Sequence, residues 1–579
     1  MKQLFSAITK TATKKRSLGA LHRVEETVTR RFTPSDWAIA GFFLALMSVG
    51  ALLLFIHASL AFSVEVPAKG GTHIEGVVGT PRFINPLLAT SETDSDLTEL
   101  VFGGLLKANP DGTLSPNLAE SYTVSPDQLL YTFKIRDDAT FHDGTPVTAE
   151  DVVFTVQAAK NPDIKSPRRA NWDGVDAVAV DEKTVTFSLK VPYALFLENA
   201  TMGILPKHIW GGVTPEEFPF SEYNQDPVGA GPFQVEHIKK NGSGVPTEYR
   251  LKAYDRAPNA PYIRTFIFRF YPNQDALAAA LEKGDVDAAH SIVPEADEKN
   301  VSVNEVVFGR VFGVFFNQNQ NQIFADKAVR QALDADLDKD ALISTILSGY
   351  GTPLTGPLPP LDVVSPDTGS GDASAAHEKA RAILEQDGWE VGDDGVYVKK
   401  TKDATTRLSF SIATGNAPEL KAAAEFVAAS WKEMGADVTV QLFDTNDLNL
   451  EVIRPRKYDA LLFGMVVGRE LDLFPFWHSS QRNDPGLNVG LYANIVTDSL
   501  LEEARKEEDP ILRRQKAAEA AQEITNDAAA VFLYAPHFLY LTEKELKGVQ
   551  LGTVSTPSDR FYGVENWYLK TEGLWPLFR

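Results

Sequence analysis

The chain contains no cysteine. That absence excludes disulfides, thiolate metal sites, a cysteine nucleophile and a lipid-modified cysteine anchor, and it leaves the compartment open. Positive charge is in the minority, with 56 Lys and Arg against 78 Asp and Glu and a formal net charge of −22. An acidic body of this kind argues against nucleic acid as a partner. The strings that mark common catalytic sites are also missing: there is no GxSxG elbow, no HExxH, no GxxxxGK[ST] and no GxGxxG. The ten histidines are scattered, and no two have metal-ligand spacing. Repeats of solenoid period are absent. No catalytic residue, metal site or cofactor is therefore expected.

What is present is a long chain of ordinary globular composition, 579 residues with 44% hydrophobic and 23% charged side chains. That length exceeds a single core, so at least two lobes are expected. The charge is unevenly spread. Residues 1–36 hold eight Lys and Arg against three acids, a net +5 that leaves −27 for the remainder. This segment reads as a basic cytoplasmic tail.

Residues 37–56 are twenty residues without a charge, and the next charged residue is Glu65. Twenty helical residues span about 30 Å, the thickness of a bilayer's hydrocarbon core. The basic flank precedes the run, so the positive-inside rule places the N-terminus in the cytoplasm and the body outside. An uncleaved signal-anchor helix over 37–60 is the favoured reading. A signal peptide cut after Ala61 is the alternative. Residues 64–71, with their Pro and Gly, read as a linker.

From Thr72 onward, alternating strand and helix patterns follow one another, and in 330–530 they argue for an α/β lobe with a mixed sheet. The stretch 311–349 is the clearest. A β-branched and aromatic run at 311–316 predicts a buried strand. Asp326 is placed to cap a helix with Ala328, Val329, Ala332 and Leu333 on one face. Asp338 starts a second helix that Gly349 closes. Elsewhere Thr148 and Asp151 predict a capped helix start, 418–434 an amphipathic helix ended by Gly435, and 458–467 a buried strand. Residues 531–534 read as the last strong strand, and 352–376, rich in Pro, Gly, Ser and Asp, as a long loop.

The motifs form a series. Asn85-Pro86 comes first, then Leu118-Ala119-Glu120-Ser121, then Tyr131-Thr132-Phe133-Lys134-Ile135-Arg136. Phe141-His142-Asp143-Gly144-Thr145-Pro146 leads into Thr148-Ala149-Glu150-Asp151-Val152. Leu205-Pro206-Lys207-His208, Gly229-Ala230-Gly231-Pro232-Phe233 and Asp285-Val286-Asp287 come next. Phe316-Asn317, then 328–333, Asp338-Lys339 and Leu342-Ile343 complete it. Each string is weak alone. In this order the chain resembles the extracytoplasmic solute-binding proteins of peptide/nickel-type ABC importers, bacterial solute-binding protein family 5, from about Thr72 to the C-terminus. One departure is Ala230, where the family has Thr.

The resemblance implies a two-lobed, three-domain α/β fold of the periplasmic-binding-protein type (class II), preceded here by one transmembrane helix. Domain I would comprise 70–102, 226–313 and 535–579, domain II 103–225 and domain III 314–534. Two crossing strands, 311–317 and 531–536, would act as hinges, with Phe315, Asn317, Leu533 and Tyr534 in them. In peptide-binding members the ligand lies extended between two segments as an added strand. By position these map to Thr90, Ser91 and Glu92, and to Gly464, Met465, Val466, Val467 and Gly468. Peptide binders usually carry a Trp after the first glycine and an Asp three residues on, which pairs with the ligand's α-ammonium. This chain has Met465 and Gly468 in those places. Glu470 is placed to supply the missing negative charge and Arg469 to hold an anionic group. Both also read as solvated loop charges. Trp477 and Tyr492 read either as walls of side-chain pockets or as lobe core.

The expected function is therefore the binding component of an ABC importer. It would capture a peptide or related small solute by hinge closure and deliver it to permease subunits driven by a cytoplasmic ATPase. Three alternatives use the same fold differently: a membrane-tethered sensor or peptide-holding chaperone, a binder of a metal chelate, haem or oligosaccharide, and an extracytoplasmic hydrolase.

Overall fold

The computed structural model describes residues 33–574, apart from 63, 295–300, 361–362, 364–372 and 403. The basic segment up to residue 32 and residues 361–362 and 364–372 of the expected 352–376 loop lie outside the described residues; the loop is shorter than expected, because Gly351–Pro353 is a strand and a helix begins at Ala373. The chain forms two units, one made of the residues up to Ala68 with those from Thr571, the other of Lys69–Lys570.

In the first unit a helix runs Pro34–Phe62, starting three residues before the apolar run. Thr33 caps it, its N–H donating to Asp36 Oδ2 at 2.8 Å. Pro34–Leu54 is long and apolar enough to cross a membrane by length and composition. Apolar side chains all round it are exposed, among them Trp37, Phe42, Leu44 and Met47. The expected linker is shorter than 64–71, because Val64–Ala68 is a strand paired with Lys570–Leu574.

The second unit is organised around one strand, Ala530–Glu543, rather than the short 531–534 strand expected. Twelve of its fourteen residues are buried; only Pro536 and Glu543 are partly exposed. A strand covered on both faces reads as a continuous apolar run, and this one supplies Val531, Phe532, Leu533, Tyr534, Phe538, Leu539, Tyr540 and Leu541. Its first part pairs with Arg310–Phe316, and its second part with Val301–Val307 and Ala288–His290. Through it one sheet is continuous, in the order 437–443, 409–415, 460–466, 310–316, 530–543, 288–290, 72–78, 265–271, 246–253 and 233–240.

The pairing changes hands at Pro536, which has no N–H to give to a ladder. Its carbonyl accepts from Phe308 N at 2.9 Å. Beside it, Gly309 N donates to Val554 O (2.7 Å), while Gly309 O accepts from Val467 N (2.9 Å). A Cβ on Gly309 would meet Ser555 Oγ at 2.8 Å and Val467 O at 3.0 Å, so only glycine lets three backbones meet here. The core divides at the same place: Val307 and Ala535 pack with one cluster, Phe308 and Phe538 with another.

Of the hinge residues expected from the sequence, Tyr534 is two residues from Pro536, and Phe315, Asn317 and Leu533 lie further from this hand-over. Phe315, Leu533 and Tyr534 are buried in the core of one half. Asn317 ends its strand, giving its side-chain amide to Arg456 O at 2.8 Å. Hydrophobicity marked both strands: the expected 531–536 segment ends at Pro536, and Gly309 lies two residues before the expected 311–317 segment.

Around the sheet the sequence signals act as expected. Thr148 N donates to Asp151 Oδ2 at 2.8 Å, and the helix Ala149–Lys160 begins there. It packs Val152 and Val156 into a core shared with the four-stranded antiparallel sheet of 119–124, 130–135, 184–189 and 175–179. In the other half Pro418–Met434 connects two parallel strands, burying Ala424, Val427, Ala428 and Trp431 along one face. Asp326 and Asp338 cap their helices through Ala328 N and Ala341 N. The second of these ends at Ile346, before Gly349, because Ser348 and Gly349 both take left-handed backbone (φ 53° and 87°).

A buried charge network locks the C-terminal segment to the first strand. Arg560 is fully buried and donates to Glu75 Oε1 (3.0 Å) and to both oxygens of Asp96 (3.0 and 2.7 Å). Tyr540 donates to Glu75 Oε2 at 2.8 Å. Burial alone would raise Glu75, but Arg560, His73 and Tyr540 together outweigh it and hold the carboxyl at about 2. Burial wins at Asp96, which rises to about 6 against the same guanidinium.

Candidate functional site

The chain encloses a cavity of about 430 Å³. Its walls come from segments far apart in sequence. The helix Glu92–Val101 contributes Ser95, Thr98 and Glu99, and the turn after it Phe102-Gly103-Gly104. Residues 198–203 add Glu198 and Asn199, the 466–469 loop adds Val466, Gly468 and Arg469, and the C-terminal segment adds Asp559, Tyr562 and Glu565. No histidine lines it among the described residues.

The polypeptide closes around this space. Arg469 Nη2 donates to Glu198 Oε2. On the same side, Ala194 N donates to Arg505 O (3.0 Å) and Gln128 Nε2 to Lys506 O (3.3 Å). The Arg505 guanidinium also lies 5.4 Å from the Tyr193 ring. These contacts tie the part carrying the four-stranded antiparallel sheet to the helix Ile495–Lys506.

Most charges in the cavity are already paired. Lys107 bonds Glu565. Asp559 accepts from Ser555 N, Thr556 N and Tyr562 Oη at 2.7, 3.0 and 2.9 Å. Glu198 Oε1 has no partner, and two further groups stand out. The Arg469 side chain is only 8% exposed, yet its Nη1 has no partner. Burial would lower its pKa, but Tyr562 and Glu198 outweigh that, so the guanidinium stays charged. It lies 5.1 Å from the Tyr562 ring centroid, within cation–π range.

Glu99 is the second. It has no hydrogen bond or ion pair among the described residues, and it is solvent-accessible. Its side chain is exposed and lines the cavity. Desolvation at the cavity wall, reinforced by Asp559, pushes its carboxyl up to about 7, although Arg469 and Arg168 pull the other way.

The structure brings together only three of the residues proposed from the sequence: Val466, Gly468 and Arg469. Thr90, Ser91 and Glu92 do not line the cavity; Ser91 caps the helix that carries Glu99, accepting from Asp94 N at 3.1 Å. Gly464 sits in its strand against Phe312, and Met465 and Val467 are buried in the core. Glu470 points away and bonds Arg513, so it cannot replace the missing acid. Trp477 and Tyr492 are core: Trp477 packs on Phe315, Tyr492 and Phe532 with ring centroids 5.7–5.9 Å apart. The Tyr492 hydroxyl is spent on Asp527 at 2.7 Å.

Glu99, Arg168, Glu198 and the 559–565 segment were not foreseen. Glu99 did carry a signal, as the one acid in the Leu97-Thr98-Glu99-Leu100-Val101 run whose Leu and Val residues are fully buried. Asp559 and Tyr562 carried none, being more than 450 residues from Glu99.

Comparisons with known proteins agree with this architecture. The model of the family described as bacterial extracellular solute-binding proteins, family 5 (middle) matches residues 113–484. The chain belongs to that family. It is 28% identical over 528 residues to the oligopeptide-binding protein AppA of Bacillus subtilis (strain 168), covering 89% of this chain and 94% of AppA. It is 25% identical over 525 residues to the dipeptide-binding protein of Escherichia coli (strain K12), covering 84% and 94%. Among solved structures, B. subtilis AppA in complex with a nonapeptide is similar, with TM-score 0.66 and 27% identity over 87% of this chain and all of AppA. NikZ from Campylobacter jejuni in complex with Ni(L-His) is similar too, with TM-score 0.67 and 25% identity over 86% and 99%. The fold is thus the mixed α/β fold of these binding proteins, and the relatives are solute-binding proteins, not enzymes.

Proposed function

We propose that this chain is the substrate-binding component of an ABC importer and that the cavity holds a short peptide or a similar zwitterionic solute for delivery to a membrane permease. The observation that carries the reading is the buried, unpartnered Arg469 Nη1 in a cavity that Glu99 also lines. A buried donor left without a partner costs about 1–3 kcal/mol or more when charged, so a site with one is built for a ligand that completes it. A carboxylate on the solute satisfies Arg469, and its ammonium satisfies Glu99. The acid that peptide binders carry after the 460–466 strand is Gly468 here, and Glu99 takes over its role from another segment. The volume, about 430 Å³, falls in the range of small-ligand sites and suits a short peptide.

In the same reading the domains are those expected from the sequence, with the crossing moved to 307–310 and 534–537. Closure brings Arg469 to Glu198, and opening breaks that ion pair. The helix Pro34–Phe62 anchors the protein with its body outside the cytoplasm. The test is calorimetric titration with a set of short peptides, each also supplied N-acetylated and C-amidated. The reading expects the free peptides to bind and both capped forms to bind at least tenfold more weakly. Equal binding of all three forms would overturn the charge assignment.

A further inference from the structure

A second cluster of charge lies in the large sheet and takes no part in the cavity. The strand Thr72–Val78 carries His73 and Glu75, and its neighbours are Ala288–His290 and then Ala530–Glu543. Asp287 precedes the middle strand and Glu543 ends the outer one. The three ends are held in register: Asp287 N donates to Ile74 O and Glu543 N to Asp287 O, both at 2.8 Å, and Asp287 Oδ2 accepts from Ile74 N at 2.7 Å.

His73 is fully buried, and its two ring nitrogens differ. Nε2 lies 3.2 Å from Glu75 Oε2, and Glu75 is itself fixed by Arg560 and Tyr540. Nδ1 has no hydrogen-bond partner and faces Glu543 Oε1 at 4.0 Å. One ligand atom each from His73, Asp287 and Glu543 lie within 4.8 Å of one another. This is the arrangement of a metal-ligating histidine, with the second nitrogen oriented by a buried carboxylate.

We propose that His73 Nδ1, Asp287 and Glu543 form a site for one divalent transition cation of the Zn²⁺ class. One imidazole and two carboxylates are a donor set for such an ion, with water completing the shell. Asp287 is partly buried and the Glu543 side chain is 27% exposed, which gives the ion a path from solvent. Binding one ion at about 2.0–2.2 Å draws these donor atoms inward from their present separations of up to 4.8 Å. The charge balance favours it: Glu75, Asp287 and Glu543 surround His73. Arg560 is committed to Glu75 and Asp96, and Arg269 to Glu248 and Asp285 O. A cation bound there staples three adjacent strands at one end. The sequence hid this site because its ligands are more than 200 residues apart.

The experiment uses the untagged full chain in detergent, stripped with chelator, dialysed against buffered ZnCl₂ and assayed for zinc per chain, beside Glu543→Gln and Asp287→Asn. Both substitutions are at partly exposed positions and conserve size. Each variant's fold is checked by circular dichroism before loading. The proposal expects one zinc per wild-type chain, an X-ray absorption shell of nitrogen and oxygen including one imidazole, and at least tenfold weaker binding in each variant. Absence of retained zinc, or equal retention in wild type and both folded variants, would overturn it. Neither outcome bears on the solute cavity, which shares none of these residues.

Discussion

Arg469 and Glu198 form an ion pair that joins the loop after the strand Ala460–Val466 to the short helix Phe196–Asn199. Both line the cavity, and each keeps one polar atom unpartnered: Arg469 Nη1 and Glu198 Oε1. Half of the guanidinium is thus paired with Glu198 and the other half faces no partner.

Replacing Arg469 with Met removes both. A hydrogen bond to a charged group contributes about 1.5–3 kcal/mol, so solute affinity should fall about 10- to 150-fold by calorimetry. Glu198→Gln leaves Arg469 in place and should weaken closure more than recognition, with a smaller loss that shows mainly in the dissociation rate. Arg469→Lys should not restore wild-type affinity, because an ammonium has no planar fork to serve two partners.

Glu99 gives the site a pH dependence. Its folded pKa, about 7, is above its ordinary value of 4.5. Over that interval the folded chain holds more protons than the unfolded one, so the empty protein loses stability as pH rises from 4.5 to 7. Recognition of an ammonium runs the other way, since only the ionised carboxylate attracts it. Affinity for a free-amine peptide should therefore fall as pH drops below about 7. Glu99→Gln should bind more weakly at pH 8, lose this pH dependence, and be more stable than wild type when empty. A Gln variant with the wild-type pH profile would remove Glu99 from the site.

Arg560 carries the fold instead. It is the cation between two fully buried carboxylates, Glu75 and Asp96. Arg560→Met leaves both uncompensated, and breaking a buried pair in this way costs about 3–5 kcal/mol. Urea unfolding should show that loss, or the variant should fail to accumulate as folded protein.

Trp477 distinguishes core from cleft. It is 1% exposed and surrounded by Phe315, Tyr492 and Phe532. Trp477→Ala should destabilise the protein by about 3–5 kcal/mol while leaving solute affinity of the folded fraction within a few-fold of wild type. A selective loss of affinity with unchanged stability would return Trp477 to the ligand site.

The sequence was legible where local chemistry decides the outcome. Thr148 with Asp151, Asp326 and Asp338 announced helix starts, and Gly435 a helix end, because caps and left-handed turns act over a few residues. The strand Val301–Val307 escaped notice because it has only modest apolar alternation and gains its place by pairing with Ala530–Glu543. The site was legible at Arg469, through its departure from the family pattern. Glu99 and Tyr562 meet only in the folded chain. For Glu470 and Trp477 the sequence left two readings open, because it shows that a charge or an aromatic ring exists, while tertiary packing decides which way it faces: Glu470 bonds Arg513 and Trp477 is buried.

The central claim is that the cavity holds a short zwitterionic peptide. Native mass spectrometry of the full chain, purified gently from membranes and then denatured to release and sequence whatever is bound, tests it most directly. The account predicts a mixture of short peptides with free amino and carboxyl termini, depleted in protein carrying Arg469→Met. Recovery of a single non-peptide compound, unaffected by that substitution, would contradict it.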